Sequence, residues 1–318
     1  MAYLLLVVGF ALLIKGADFF VEGSSRIART LHVSPLLIGL TIVAFGTSAP
    51  EATVSIVAAL EGSAGVAVGN VVGSNIFNIT LVVGLTAILN PLKVENETIR
   101  KEIPFTLLAS IALLVLVSDI ALQGLSGNVI TRSDGFIFLL FFLIFLYYIF
   151  EVAMNNRDKA KEESVPSERP SWGKNIALTV GGLLAIILGG HFVVDSATEI
   201  AISFGMSETL VGLTIVAIGT SLPELVTSIT ASIKKESEIA LGNIVGSNIF
   251  NILFVLGTAS SISPLGVEGK IVVDIMLLIL LTILLLIFSR TKYTIGKIEG
   301  LILASAYVLY MIYIIMRN

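Results

Sequence analysis

Two stretches of this chain recur at one constant offset. Residues 34–51, SPLLIGLTIVAFGTSAPE, align with residues 207–224, SETLVGLTIVAIGTSLPE, at 13 of 18 identical positions. Residues 69–79, GNVVGSNIFNI, align with residues 242–252, GNIVGSNIFNI, at 10 of 11. Both pairs lie 173 residues apart, so nothing is inserted or deleted between the two motifs. The upstream GADFFVEGSSRIA (16–28) falls over GGHFVVDSATEIA (189–201) at the same offset. A chain duplicated in this way folds as two similar halves.

The halves are built for lipid. Only 13% of the 318 residues are charged, against about 25% in soluble domains. Apolar runs at 3–14, 105–117, 136–150, 271–288 and 301–316 recur along the chain. With its polar end included, each supplies the roughly 20 residues that cross about 30 Å of hydrocarbon. The first run lacks a basic flank and an A-x-A site, so it reads as a span rather than a cleavable signal. The absence of cysteine removes disulfide and thiolate chemistry. No basic patch interleaved with aromatics points to nucleic acid.

The most charged, least apolar stretch is NNRDKAKEESVPSERPSWG (155–173), read as a solvated linker. Five spans are expected on each side of it: 3–23, 35–60, 65–89, 103–122 and 134–154, then 174–198, 208–233, 239–262, 271–289 and 297–316. Five is odd, so the second half must enter the membrane from the opposite side. The expected fold is an all-α polytopic membrane protein of ten transmembrane helices. Residues 1–154 and 174–318 form two inverted five-helix repeats within one integrated membrane domain. Fifteen Lys/Arg fall on the side that holds the linker and three, Arg132, Lys270 and Arg317, on the other. The positive-inside rule then places the linker in the cytoplasm and both termini outside. Inverted repeats with sites at the midplane are the pattern of secondary transporters.

The repeated motifs carry chemistry out of place in lipid. Pro50 and Pro223 have no N–H for the carbonyls of Gly46 and Gly219, and their rings clash there. Freed carbonyls are expected over Ala44–Gly46 and Ala217–Gly219, and unsatisfied backbone in lipid costs several kcal/mol. Thr47, Ser48 and Glu51 are spaced to face one side of a helix, as are Ser74 and Asn78. Thr220, Ser221, Glu224, Ser247 and Asn251 repeat the pattern. All are oxygen donors, which suit calcium, magnesium or sodium rather than zinc or copper. Glu51 and Glu224 give a formal charge of −2, matched by one Ca²⁺ or two Na⁺. A lone buried glutamate could be a structural hydrogen-bonding group, but two symmetric ones favour ion binding. Asn70 and Asn243 are read as packing or helix-end groups ahead of ligands. Lys15, Asp18, His191 and Asp195 are read as snorkelling or interfacial residues. The GxxxG pairs Gly69/Gly73 and Gly242/Gly246 permit close helix approach, which would bring the Asn-bearing helix against the Glu-bearing one.

GTSAPE and GTSLPE, each followed by GNxVGSNIFNI, resemble the two α-repeats of the cation/calcium exchanger superfamily, and within it the sodium/calcium exchangers. The resemblance covers essentially the whole membrane region. It implies a ten-helix inverted-repeat fold with four broken or bent helices around the ion sites. It also implies exchange of extracellular Na⁺ for intracellular Ca²⁺, with two peripheral helices sliding past a fixed core. By motif position the calcium-binding acids fall on Glu51 and Glu224. Hydroxyl and carbonyl ligands fall on Ala44, Thr47, Ser48, Ser74, Ala217, Thr220, Ser221 and Ser247, and the remaining polar pair on Asn78 and Asn251. Some relatives that also move potassium carry Asp at the Asn251 position, so this chain departs from them. Proton/calcium exchangers usually have Glu within the GN helix, where this chain has Asn78 and Asn251. The linker is too short for calcium-sensing regulatory domains, which implies a prokaryotic, unregulated exchanger. No cofactor or obligatory protein partner is expected, and Na⁺ and Ca²⁺ are bound as substrates. A proton-driven or potassium-dependent antiporter is the alternative, and a cation channel is the rival from another class. An enzyme finds no support, since the spans hold no histidine pair or nucleophile–base set.

Overall fold

The computed structural model describes residues 2–96, 98–162, 171–205, 217–291 and 293–317, with side chains to residue 155 in the helix that ends at 162. In the first half the helices are α1 (Ala2–Leu31), α2 (Pro35–Thr47), α3 (Ala49–Leu60), α4 (Ala64–Leu89), α5 (Ile103–Leu116) and α6 (Arg132–Glu162). The second half contributes α7 (Trp172–Ser203), α8 (Leu222–Ile233), α9 (Ser237–Ile262), α10 (Gly269–Arg290) and α11 (Lys297–Arg317). Among the described residues seven helices are long and apolar enough to cross a membrane, or eight if the bent pair α2–α3 is one span. Expected span 208–233 lies partly outside the described residues, which resume at Ala217.

Expected span 103–122 differs in form. Its regular helix α5 is only 14 residues long, entered through a π-helical turn at Thr98–Glu102 and followed by a short helix at Asp119–Gln123. Gly124, in the left-handed region at φ 69°, closes that short helix. The all-helical expectation also needs a small correction. Two antiparallel ribbons tie the halves: β1 (Leu92–Lys93) pairs with β4 (Thr294–Ile295), and β2 (Asn128–Ile130) pairs with β3 (Leu265–Val267). Pairing satisfies backbone groups in these connections.

α1 turns Leu4, Val7, Phe10 and Ile14 outward and buries Leu13, Ala17 and Phe20, the division expected of a helix with lipid on one side. Its repeat mate α7 lies antiparallel against it. β-Carbons added at Gly9, Gly16 and Gly23 would come within 3.0 Å of the backbone oxygens of Gly189, Gly182 and Asn175 in turn. Small residues at that spacing let the two backbones touch. Asp18 on α1 pairs with Lys234 at 2.7 Å, and Arg29 pairs with Glu236 at 2.9 Å. His191 and Asp195 form an exposed pair on one helical face.

α4 and α9 run through the interior, and Phe45 of α2 stacks on Phe250 of α9 at 4.7 Å. The GxxxG expectation holds in only one half. A β-carbon at Gly246 would meet Leu40 O at 2.7 Å, and one at Gly242 would meet Leu36 O at 2.6 Å, so α9 lies backbone to backbone against α2. At Gly69 and Gly73 a β-carbon would meet nothing within 4 Å. There α4 faces a cleft of about 400 Å³ instead.

Candidate cation site

The chain breaks where the prolines require. Ser34 caps α2 by accepting from Leu37 N at 3.4 Å, and Pro35 occupies the first turn. α2 and α3 then meet at 49° across Ser48, whose φ and ψ are −83° and 7°. Ser221 repeats that conformation at −94° and 7° just before α8. Each break leaves a glutamate one turn into the next helix: Glu51 on α3 and Glu224 on α8, both with 0% exposure.

The two carboxylates are held crosswise. Ser48 Oγ donates to Glu224 Oε1 at 2.7 Å, and Ser221 Oγ donates to Glu51 Oε1 at 2.8 Å. Each motif therefore orients the acid of the other. Ser74 Oγ lies 3.0 Å from Ser221 Oγ, and Ser247 Oγ reaches Ala44 O at 3.5 Å. Thr47 Oγ1 lies between Asn243 Oδ1 at 3.0 Å and Ala44 O at 3.3 Å. Thr220 Oγ1 reaches Asn70 Oδ1 at 3.5 Å. The Ala44 carbonyl is not left free as expected, because Ser48 N, four residues on, still donates to it at 3.0 Å. The break falls at Ser48 rather than before it. Ala217 opens the described part of the second motif.

Asn70 and Asn243 act as hydrogen-bonding groups. Asn70 Nδ2 donates to Glu51 O at 3.3 Å and to Ser55 Oγ at 2.9 Å. Asn243 Nδ2 does the same to Glu224 O at 3.4 Å and Ser228 Oγ at 3.0 Å. These bonds fasten α4 to α3 and α9 to α8 beside the acids.

Asn78 and Asn251 begin or sit within π-helical turns, Asn78–Val82 in α4 and Phe250–Leu256 in α9. Such turns widen a helix locally and recur at functional positions. Asn78 Nδ2 donates to Asn248 Oδ1 at 3.1 Å and Asn251 Nδ2 to Asn75 Oδ1 at 3.3 Å. The sequence reading missed Asn75 and Asn248. The signal available was the unchanged GSNIFN in both halves.

Four oxygens decide what the site can do. Glu51 Oε2, Glu224 Oε2, Asn78 Oδ1 and Asn251 Oδ1 are buried and receive no hydrogen bond. A buried acceptor left so costs about 1–3 kcal/mol, and a charged one more. Two carboxylates and two amide carbonyls form an all-oxygen set that fits a hard cation. Among the described residues no group of three or more acidic or histidine side chains could hold a metal. The acidic pair therefore sets the charge, and neutral oxygens complete the set.

A cleft borders the site. The cleft runs along α4, α10 and α11, and its lining includes Asn70, Gly73, Ser74 and Thr220. Asp274, Lys270 and Arg317 also line it, and Arg317 grips Asp274 through two bonds of 2.8 and 2.5 Å.

These features define a multi-span helical membrane protein whose two halves jointly enclose a buried pair of glutamates among hydroxyl and amide oxygens. The chain belongs to the sodium/calcium exchanger protein family, whose model matches residues 1–151 and again 174–316. It is similar to the sodium/calcium exchanger MaX1 of Methanosarcina acetivorans, 34% identical over 98% of this chain and 97% of that one. It is 37% identical to the inner membrane protein YrbG of Escherichia coli K12, over 98% and 96% of the two chains. Its fold matches the sodium-calcium exchanger NCX_Mj soaked with zero Na⁺ and Ca²⁺, at a TM-score of 0.83 and 32% identity, over 98% of both chains.

Proposed function

We propose that this chain is a secondary antiporter that exchanges Na⁺ for Ca²⁺ at the site between Glu51 and Glu224. The observation that carries the reading is the set of four buried, donorless oxygens on two repeat-related residue pairs. One Ca²⁺ or two Na⁺ neutralise the two carboxylates, so the two ions compete for the same oxygens. Competition at one site, exposed to each side in turn, gives exchange rather than parallel leak. Ala44, Thr47, Ser48, Ser74, Ala217, Thr220, Ser221 and Ser247 complete the proposed ligand set.

The fold is proposed as ten spans in two inverted five-helix repeats, 1–154 and 174–318, joined by the 155–173 linker. The antiparallel contact of the repeat mates α1 and α7 supports this. So does the pairing of β1 with β4 and of β2 with β3, in which the 3–4 loop of each half pairs with the 4–5 loop of the other. With the linker cytoplasmic, Lys270 and Arg317, which line the cleft, lie outside. On that reading the cleft beside the site faces the exterior. The close packing of α9 on α2 and the Asp18–Lys234 and Arg29–Glu236 pairs would then lie on the cytoplasmic side.

Equilibrium calcium-45 binding to the purified chain in detergent tests the reading. Ca²⁺ should bind without Na⁺, be displaced by Na⁺ and not by K⁺, and be lost in Glu51→Gln and Glu224→Gln. Ca²⁺ binding indifferent to both substitutions would refute the site.

A further inference from the structure

We propose that Asn75 and Asn248 are positioning residues that fix which atom of Asn251 and Asn78 faces the cation, and so hold the site at two carboxylates. The inference rests on the reading of Asn78 and Asn251 as ligands.

Asn75 and Asn248 are fully buried, at 0% and 1% exposure, and are repeat mates. They form a reciprocal clasp where α4 meets α9. Asn78 Nδ2 donates to Asn248 Oδ1 at 3.1 Å, Asn251 Nδ2 donates to Asn75 Oδ1 at 3.3 Å, and Asn75 Nδ2 donates to Asn248 O at 3.2 Å. An asparagine side chain presents either its oxygen or its NH₂ in a given direction. With the NH₂ of Asn78 and Asn251 engaged by the clasp, the oxygen of each points the other way and is the one left without a donor. Turning either amide over would set two oxygens against each other in the clasp and aim an N–H at the cation. The bond thus selects the ligating orientation, as outer partners do for metal ligands elsewhere.

The clasp also limits charge. Asn75 Oδ1 can only accept, so its partner at 251 must donate. A carboxylate at 251 would place oxygen against oxygen, unless it kept a proton or Asn75 turned over and gave up its bond to Asn248 O. Asn248 imposes the same demand on position 78. The clasp therefore excludes a third unprotonated carboxylate.

The test is a pair of double-variant cycles, read as calcium-45 affinity of the purified chain at zero Na⁺. Asn75→Ala, Asn251→Ala and Asn78→Ala should each weaken binding about tenfold or more, the usual range for outer partners and ligands. The loss from Asn75→Ala should vanish, to within about twofold, in the Asn251→Ala background and persist in the Asn78→Ala background. A general packing defect would lower affinity equally in both. Equal loss in both backgrounds, or wild-type affinity for Asn75→Ala, overturns the inference while leaving the ligand reading intact. Wild-type affinity for Asn78→Ala and Asn251→Ala overturns the ligand reading and the inference with it. Should Asn75→Ala not purify as a monodisperse protein, Asn75→Leu, which fills a similar volume without an acceptor, takes its place with the same outcomes.

Discussion

Glu51→Gln separates a cation site from a structural carboxylate. Glu51 Oε1 accepts from Ser221 Oγ at 2.8 Å, and Oε2 accepts from nothing. Glutamine keeps the shape and the bond to Ser221 but replaces Oε2 with an N–H donor that repels a cation. It also halves the site's charge, leaving one carboxylate against a divalent ion. Breaking a buried charge pair from one side costs about 3–5 kcal/mol, which is two to four orders of magnitude in affinity. Exchange should therefore fall below detection in proteoliposomes, and Glu224→Gln should behave the same way, since Ser48 holds Glu224 as Ser221 holds Glu51. The folded state answers in the opposite sense. Without cations the neutral amide removes a buried charge, so the variant should melt no lower than wild type. It should also lose the rise in melting temperature that added Ca²⁺ gives wild type by mass action. Near-normal exchange with a preserved Ca²⁺-induced rise would refute the reasoning.

Potassium should be neither required nor carried, because Asn251 offers a dipole and no charge; a rate that vanishes without K⁺ would contradict this. A cysteine at Ser164 in this cysteine-free chain should resist an impermeant thiol reagent in intact cells, and one appended after Asn318 should react; the reverse pattern would overturn the orientation. Gly246→Ala, whose β-carbon would lie 2.7 Å from Leu40 O, should cost about 1–3 kcal/mol of stability by overpacking. Gly73→Ala meets open space and should melt like wild type, so equal melting points for the two would refute the asymmetry between the halves. Asn251→Asp should keep exchange at low pH, where its O–H replaces the N–H donor to Asn75, and lose it as pH rises; parallel pH profiles would remove position 251 from the site.

Much of this was legible in the sequence because the repeat marks it twice. The breaks at Pro50 and Pro223, the paired acids and the hydroxyls beside them follow from residue type and helical spacing, and the structure brings them together. Asn75 and Asn248 were not legible, since spacing gives the face of one helix but not which helix crosses it. The sequence also treats Gly69/Gly73 and Gly242/Gly246 alike, whereas one pair packs and the other borders a cleft. A site open to one side must break the symmetry of its halves, and a symmetric sequence cannot say which half opens. The ribbons β1–β4 and β2–β3 are two or three residues long, too short for an alternating pattern to show.

Na⁺-coupled Ca²⁺ movement through the site of Glu51 and Glu224 can be measured as ion flux. Its most direct test is calcium-45 uptake into proteoliposomes of the wild-type chain loaded with Na⁺, beside K⁺-loaded vesicles and vesicles carrying only a pH gradient. Uptake should occur with internal Na⁺ alone and should collapse when external Na⁺ is raised to match. Uptake driven equally well by the pH gradient in the absence of Na⁺ would contradict the account.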